Sequence, residues 1–300
     1  MKNPTSQVTY GGQAVLEGVM IRGLRSASVA VRNPEGEITL RTLPLNGWYS
    51  GRARRIPFLR GILVMAETLT LGMRALSHSA NVAAGEEQEL GGASIAGMMI
   101  VSIALAVGIF FLIPVFASRG LEGLVGSDIV SNIIEGVIRL ALFLAYITLI
   151  GRMQEIRRVF MYHGAEHMAV HAHEQGEELT VESVRRFPTA HPRCGTAFLL
   201  VVMFVAIVVF AFTGRDPLWW LIASRIVLVP FIASISYEVI RFSGFHPGNP
   251  LVSVIALPGL VLQRLTTREP EDDQIEVAIA AMEEAISVDA AEGATTRPSE

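Results

Sequence analysis

"SIAGMMIVSIALAVGIFFLIPVFA", residues Ser94 to Ala117, sits inside a run from Leu90 to Ser118 that holds no charged residue. A helix of that length crosses the hydrocarbon core of a bilayer, about 30 Å thick at a rise of about 1.5 Å per residue. Outward from it, three more stretches read the same way. Gly195 to Gly214 is a second uncharged run, and "LWWLIASRIVLVPFIASISY" (Leu218 to Tyr237) is apolar except for Arg225. "IIEGVIRLALFLAYITLIG" (Ile133 to Gly151) carries Glu135 and Arg139 at i,i+4, the spacing at which they pair on one helix face. Four spans are expected. The composition agrees, since 51% of the residues are hydrophobic and only 17% charged, a balance outside the ordinary soluble range.

Arginine placement orients the spans, because cytoplasmic flanks collect Lys and Arg. Arg74, Arg152, Arg157, Arg158, Arg185, Arg186, Arg193, Arg241, Arg264 and Arg268 fall on one side, against Arg119 and Arg215 on the other. Both termini and every histidine are therefore expected to be cytoplasmic. The polar start "MKNPTSQVTYGG" has no apolar core of a signal peptide. The single cysteine, Cys194, excludes an intrachain disulfide and fits a reducing compartment.

The spacing predicts an N-terminal β-rich module over residues 1–55. "SVAVRNPEGEITLRTLPL" alternates apolar and polar residues around the turn signal Asn33 to Gly36, which makes a hairpin. "GGQAVLEGVMIRG" (Gly11 to Gly23) matches no phosphate-loop pattern and reads as a strand between tight turns. Residues 56–93 hold a helical pattern that follows the clustered arginines Arg52, Arg54 and Arg55. It suits an interfacial helix whose arginines meet anionic headgroups, or a buried helix capping the module. Residues 94–265 form the transmembrane domain, with a cytoplasmic loop at 152–196. "PLVSVIALPGLVLQ" (Pro250 to Gln263) is too short and too broken by Pro258-Gly259 to span comfortably, and reads as interfacial or re-entrant. Residues 266–300 are an acidic tail, in which "DDQIEVAIAAMEEAI" predicts one amphipathic helix before a disordered end. The expected fold class is an α-helical polytopic membrane protein of about four transmembrane helices, with a small β-rich cytoplasmic module and interfacial helices.

The loop carries the chemistry. "HGAEHMAVHAHE" (His163 to Glu174) holds four of the seven histidines. His163 and His167 stand one helical turn apart, as two ligands of a transition metal must, and Glu166 completes the H-x-x-E-H order in which glutamate serves as general base. "HPRC" adds His191 and Cys194 just before the third span. His163, His167, His191 and Cys194 together make a tetrahedral set whose ligand types select zinc over magnesium or calcium. Closing the 23-residue loop between the pairs costs only a few kcal/mol, well below the roughly 10–16 kcal/mol of a structural zinc site. The pairs can meet only if the helix bends near Gly151 or around Tyr162 to Gly164, because a straight continuation lifts His163 about 20 Å above the membrane. His173 is expected to face solvent; His171 either does the same or, like Glu174, serves as a further ligand or as a partner orienting an imidazole, and Gly176 is expected to end the helix. Histidines scattered on a cytoplasmic helix, with no metal, remain the bland alternative.

"GGQAVLEGVMIRG", "YHGAEH", "HPRCGTAFL", "FHPGNP" and "TTREPEDDQIEVAI", in this order between hydrophobic spans, resemble the YqhQ-like family of bacterial membrane proteins. The resemblance implies a bacterial inner-membrane location. The family is a domain of unknown function, at times described as predicted metal-dependent enzymes, so a metal role is implied for His163, Glu166, His167, His191 and Cys194. Met168 departs from the lysine expected after the second histidine.

Three functions stay open. A membrane-embedded metallohydrolase using zinc with Glu166 as general base is the first. A zinc-stapled scaffold, recruiting a protein partner through the N-terminal module or the acidic tail, is the second. A lipid or small-solute transporter centred on Arg225 is the third, although an ion pair between Arg225 and Glu135 is the plainer reading of that residue. Glu238 is expected to be solvated and His246 to sit in a proline-stabilised turn near the metal region. The lipid bilayer is an expected partner and nucleic acid is not.

Overall fold

A computed structural model describes residues 10–24, 26–45, 56–85, 92–245 and 250–295. Four antiparallel strands, β1 (Gly11–Val15), β2 (Gly18–Arg22), β3 (Ser26–Arg32) and β4 (Ile38–Pro44), form a sheet in sequential order. The β3–β4 hairpin turns at Asn33 to Gly36 as expected, with Asn33 Oδ1 accepting the Glu37 N–H at 2.7 Å. The stretch Gly11 to Gly23 differs from expectation, because it forms two strands rather than one. Leu16-Glu17 folds back between them with Glu17 at φ 48°. That left-handed conformation is unfavourable for a side-chain-bearing residue. The Arg158 guanidinium holds it with two hydrogen bonds to the Glu17 carboxylate, 2.7 and 2.6 Å.

Strand alternation gives the sheet two apolar faces. Helix α1 (Leu59–Ala84) covers one, packing Leu71 and Ala75 on Val15, Met20, Val29 and Val31. Helices α5 (Gln154–Gln175) and α11 (Asp272–Thr295) cover the other, where Val19, Ile21 and Ala30 meet Tyr162, Ala165, Ile275 and Met282. Each fully buried Val or Ile contributes about 1.5–3 kcal/mol. The expected amphipathic tail helix is thus present, but its apolar stripe is built into the main core. The helix also runs on to Thr295, past Ile286, after which a disordered end was expected; residues 296–300 lie outside the described residues, as do Arg52, Arg54, Arg55 and His246.

The remaining helices form the apolar part. Helix α2 (Gly92–Val107) runs through a π-helical turn, Gly108–Leu112, into α3 (Ile113–Val125). Helix α4 (Asp128–Ile150) follows a left-handed Gly126, with Asp128 placed favourably against the helix dipole. The short α6 (Val181–Val184) is capped by Thr180, whose Oγ1 accepts the Ser183 N–H. After it come α7 (Gly195–Ala211), α8 (Leu218–Val227), α9 (Val229–Phe245) and α10 (Pro250–Thr266). Three helical stretches are long and apolar enough to cross a membrane: Gly92–Val125, Asp128–Ile150 and Leu218–Ser243. The third expected span forms α7, apolar but only 17 residues long. Helix α10 is continuous through Pro258 rather than broken there, and it packs along α7. Helix α1 reaches this bundle too, since Arg60 Nε donates to Glu238 Oε1 at 2.7 Å, so Glu238 is paired rather than solvated.

Candidate metal centre

Helix α4 stops at Ile150, and the chain bends through Gly151 before α5 begins. Beyond the bend, His163 and His167 face the loop leading into α7. Cys194 caps α7, its Sγ accepting the Thr196 N–H at 3.4 Å. One nitrogen of His163, one of His167 and the Cys194 sulfur all lie within 4.8 Å of one another, and His163 Nε2 is 3.2 Å from Sγ. Each imidazole is pinned from behind: Nδ1 of His163 donates to the Thr266 carbonyl at 2.8 Å, and Nδ1 of His167 to the Thr189 carbonyl at 2.7 Å. A carbonyl only accepts, so both rings carry their hydrogen on Nδ1 and keep Nε2 as the lone-pair nitrogen, which in His163 faces the sulfur. That is the arrangement by which backbone carbonyls orient metal-binding histidines.

Gly164 makes the approach of the Thr266 strap possible. A Cβ there would stand 2.2 Å from the Arg268 carbonyl oxygen, while the Arg268 N–H donates to Phe160 O at 2.9 Å. Helix α5 ends at Gly176, left-handed at φ 73°, as its sequence predicts.

Burial, reinforced by the neighbouring imidazoles, pushes His167 down to about 3. The ring is therefore neutral at physiological pH, as a ligand must be. Burial pushes the Cys194 thiol up. Glu166 is buried beside the cluster, with Oε1 accepting the Gly12 N–H at 3.0 Å. Its carboxyl is pushed up to about 7, first by burial and then by Cys194, against the opposing pull of His163 and the Gly12 N–H.

His191, expected as a fourth member of this set, falls instead into an adjacent group with His171 and Glu174. Its Nδ1 accepts the Arg193 N–H at 3.2 Å, so in the neutral ring the hydrogen sits on Nε2, which faces Glu174 Oε2 at 3.5 Å. Glu174 also pairs with the Arg193 guanidinium. The Gln263 amide clamps the His191 backbone from α10, accepting its N–H at 2.8 Å and donating to its carbonyl at 3.0 Å. These contacts brace the loop that delivers Cys194. His171 and His173 are half-buried rather than solvated. His171 Nε2 donates to the Ala190 carbonyl at 3.0 Å, and His173 meets the Tyr10 ring edge-on at 5.0 Å.

A cavity of about 300 Å³ opens against the cluster, lined by Gly12, Gln13, Arg22, Glu166, His167 and Cys194, among others. Gly12, Gln263 and the carbonyls of Thr189 and Thr266 escaped sequence reasoning. Their contribution is made by position alone, and nothing in their residue types announces it.

Inside the bundle, Arg225 does meet Glu135, at 2.9 and 2.8 Å, but two other arginines share that carboxylate. Arg139 approaches it at 2.8 Å and Arg215 at 3.0 Å. Asn132 Oδ1 accepts from both Arg215 and Arg225, and Glu122 takes the Arg215 Nε at 2.5 Å. The Arg225 guanidinium rests on the Phe210 ring, 4.6 Å from its centroid. Every Arg225 nitrogen is engaged, so the network joins α4 to α8 and to the turn before it.

Residues 56–288 match the family described as "Protein of unknown function (DUF1385)". The chain is also 33% identical, over 305 aligned positions, to "Uncharacterized protein YqhQ" of Bacillus subtilis (strain 168), an alignment covering 97% of this chain and 96% of that protein. No solved structure matches. The ordered strings around His163 and Cys194 and the agreement along nearly the whole length therefore have one explanation: the chain belongs to the DUF1385 family.

Proposed function

We propose that this protein is a multi-pass protein of the bacterial inner membrane, with both termini cytoplasmic, that holds a zinc-like divalent ion on its cytoplasmic face and uses it for hydrolysis. The observation that carries the reading is the convergence of His163 Nε2, one ring nitrogen of His167 and Cys194 Sγ beside a cavity that Glu166 lines. Two imidazoles and a thiolate suit zinc, and three protein donors is the number found in catalytic sites. An ion bound there supplies Lewis acidity and makes water a nucleophile at neutral pH.

The chain's own residues have distinct tasks. Thr266 and Thr189 keep the lone pairs of His163 and His167 aimed at the ion. The Gly12 N–H holds one oxygen of Glu166, and the carboxylate takes a proton from water and returns it to the leaving group. Gln263 of α10 and Glu174 of α5 hold the loop of His191 and Cys194 between those helices. The arginine asymmetry supports the orientation, and α7 supplies a fourth, shorter pass at about 25 Å. The surrounding sheet, α5 and α11 make the cytoplasmic body.

The test is Glu166→Gln in the full-length protein, assayed on a panel of quenched peptide, amide and ester probes beside metal analysis. Retained metal with hydrolysis reduced about 10²- to 10⁴-fold is expected. Hydrolysis by the variant at the wild-type rate contradicts the base assignment. Loss of metal together with folded protein in the variant favours the zinc-stapled scaffold.

A further inference from the structure

A second cavity, about 550 Å³, lies between α1 and the edge strand β4, and shares no lining residue with the cavity at the metal cluster. Its lining includes Arg41, Arg74, Ser77, His78 and Asn81. Arg74 and His78 stand one turn apart on α1, and Arg41 reaches His78 from β4. Neither Arg41 nor Arg74 has an ionic partner among the described residues, unlike Arg22, Arg60, Arg158 and Arg193, each of which pairs with a glutamate.

His78 adds a directional donor. Arg41 Nη1 lies 3.2 Å from His78 Nδ1, and a guanidinium only donates, so Nδ1 accepts and the hydrogen sits on Nε2. Burial, then the charge of Arg41, lowers the His78 pKa and keeps the ring in that neutral form. The Nε2–H is buried and has no acceptor among the described residues. A buried donor left without a partner is a cost that a bound acceptor removes. Two unpaired guanidiniums, one orphan N–H and the Ser77 hydroxyl match the oxygens of a phosphate group.

We propose that this cleft binds the headgroup phosphate of an anionic phospholipid. A free phosphate shares that chemistry, and the end wall of the cleft decides between them. Met99 of α2 closes it, and Met99 is the one described side chain of α2 that is not exposed. From there the apolar surface of α2 continues through Ile100, Ile103 and Val107, all exposed. A lipid seated with its phosphate between Arg41 and Arg74 lays its chains along that surface. The site is independent of the metal cluster, so either assignment can fail without the other.

The full-length protein is exchanged into mixed vesicles or nanodiscs of equal phosphatidylglycerol and phosphatidylcholine, and co-purifying lipid is counted by native mass spectrometry. The wild type retains phosphatidylglycerol over phosphatidylcholine by about tenfold or more. The double substitution R41Q/R74Q abolishes that preference, and His78→Phe, which keeps both charges, reduces it in part. Metal content stays at the wild-type level in each. Calorimetry with inorganic phosphate shows binding far weaker than the lipid's. No lipid preference in the wild type overturns the proposal whatever the variants do. Equal preference in the wild type and R41Q/R74Q, or inorganic phosphate binding as tightly as the lipid, overturns it as well.

Discussion

His163 Nε2 stands 3.2 Å from Cys194 Sγ across 31 positions of sequence. The contact exists because three separate segments converge there. Helix α5 carries the histidine, the N-terminus of α7 carries the cysteine, and the end of α10 supplies the Thr266 carbonyl that fixes the ring. A site assembled in this way should respond to changes in its supports as well as in its ligands.

Gly164→Ala is expected to destabilise the protein by about 1–3 kcal/mol, because the new methyl must displace the Arg268 carbonyl, which is backbone. The same displacement moves the Thr266 carbonyl off His163 and weakens metal retention. Chemical unfolding beside metal titration checks both effects. Unchanged stability with unchanged metal affinity shows that the strap yields freely.

The Glu135 carboxylate is shared by Arg139, Arg215 and Arg225, and Arg215 also pairs with Glu122. Glu135→Ala leaves Arg139 and Arg225 without an ionic partner among the described residues inside an apolar bundle, and a loss of about 3–5 kcal/mol is expected. Arg225→Met should cost less, since the remaining two arginines keep their partner. Thermal unfolding in detergent ranks the two. If Arg225→Met leaves the protein folded yet abolishes a solute flux, the transport reading gains and the structural one loses.

The Arg158 guanidinium holds the Glu17 carboxyl below its ordinary value of 4.5. A carboxyl whose pKa is depressed on folding adds stability that is full above the unfolded value and disappears as pH falls through the folded value. Glu17→Gln should therefore lower the unfolding temperature at pH 7, with the gap to wild type closing as pH falls below about 4. A gap that stays constant with pH assigns the effect to the turn conformation instead of the ion pair.

How much of this was legible depends on range. The i,i+4 spacing of His163 and His167, the stop at Gly176 and the Asn33 to Gly36 turn are local, and short-range sterics and hydrogen bonds specify them. The apolar stripe of α11 was readable as a helix face, but its burial against Val19 and Ile21 was not, because a stripe does not name its partner. Leu16-Glu17 misled for the same reason: its turn is held by Arg158, 141 positions away. Pro258 suggested a break in α10, yet the packing of that helix along α7 carries it through. Among the candidate ligands, His163, His167 and Cys194 converge, while His191 faces Glu174, its backbone held by Gln263 and its Nδ1 taken by the Arg193 N–H. Those contacts come from tertiary packing, which residue spacing does not encode.

The most direct measurement is the metal content of the purified full-length protein beside four variants. The account predicts about one zinc per chain in the wild type, close to none in His163→Ala and Cys194→Ala, and wild-type content in His171→Ala. In His191→Ala it predicts metal that is retained but exchanges faster, because the brace on the Cys194 loop is weakened. A wild-type protein purified without metal and unable to take up zinc, or a Cys194→Ala protein that keeps it undiminished, contradicts the account.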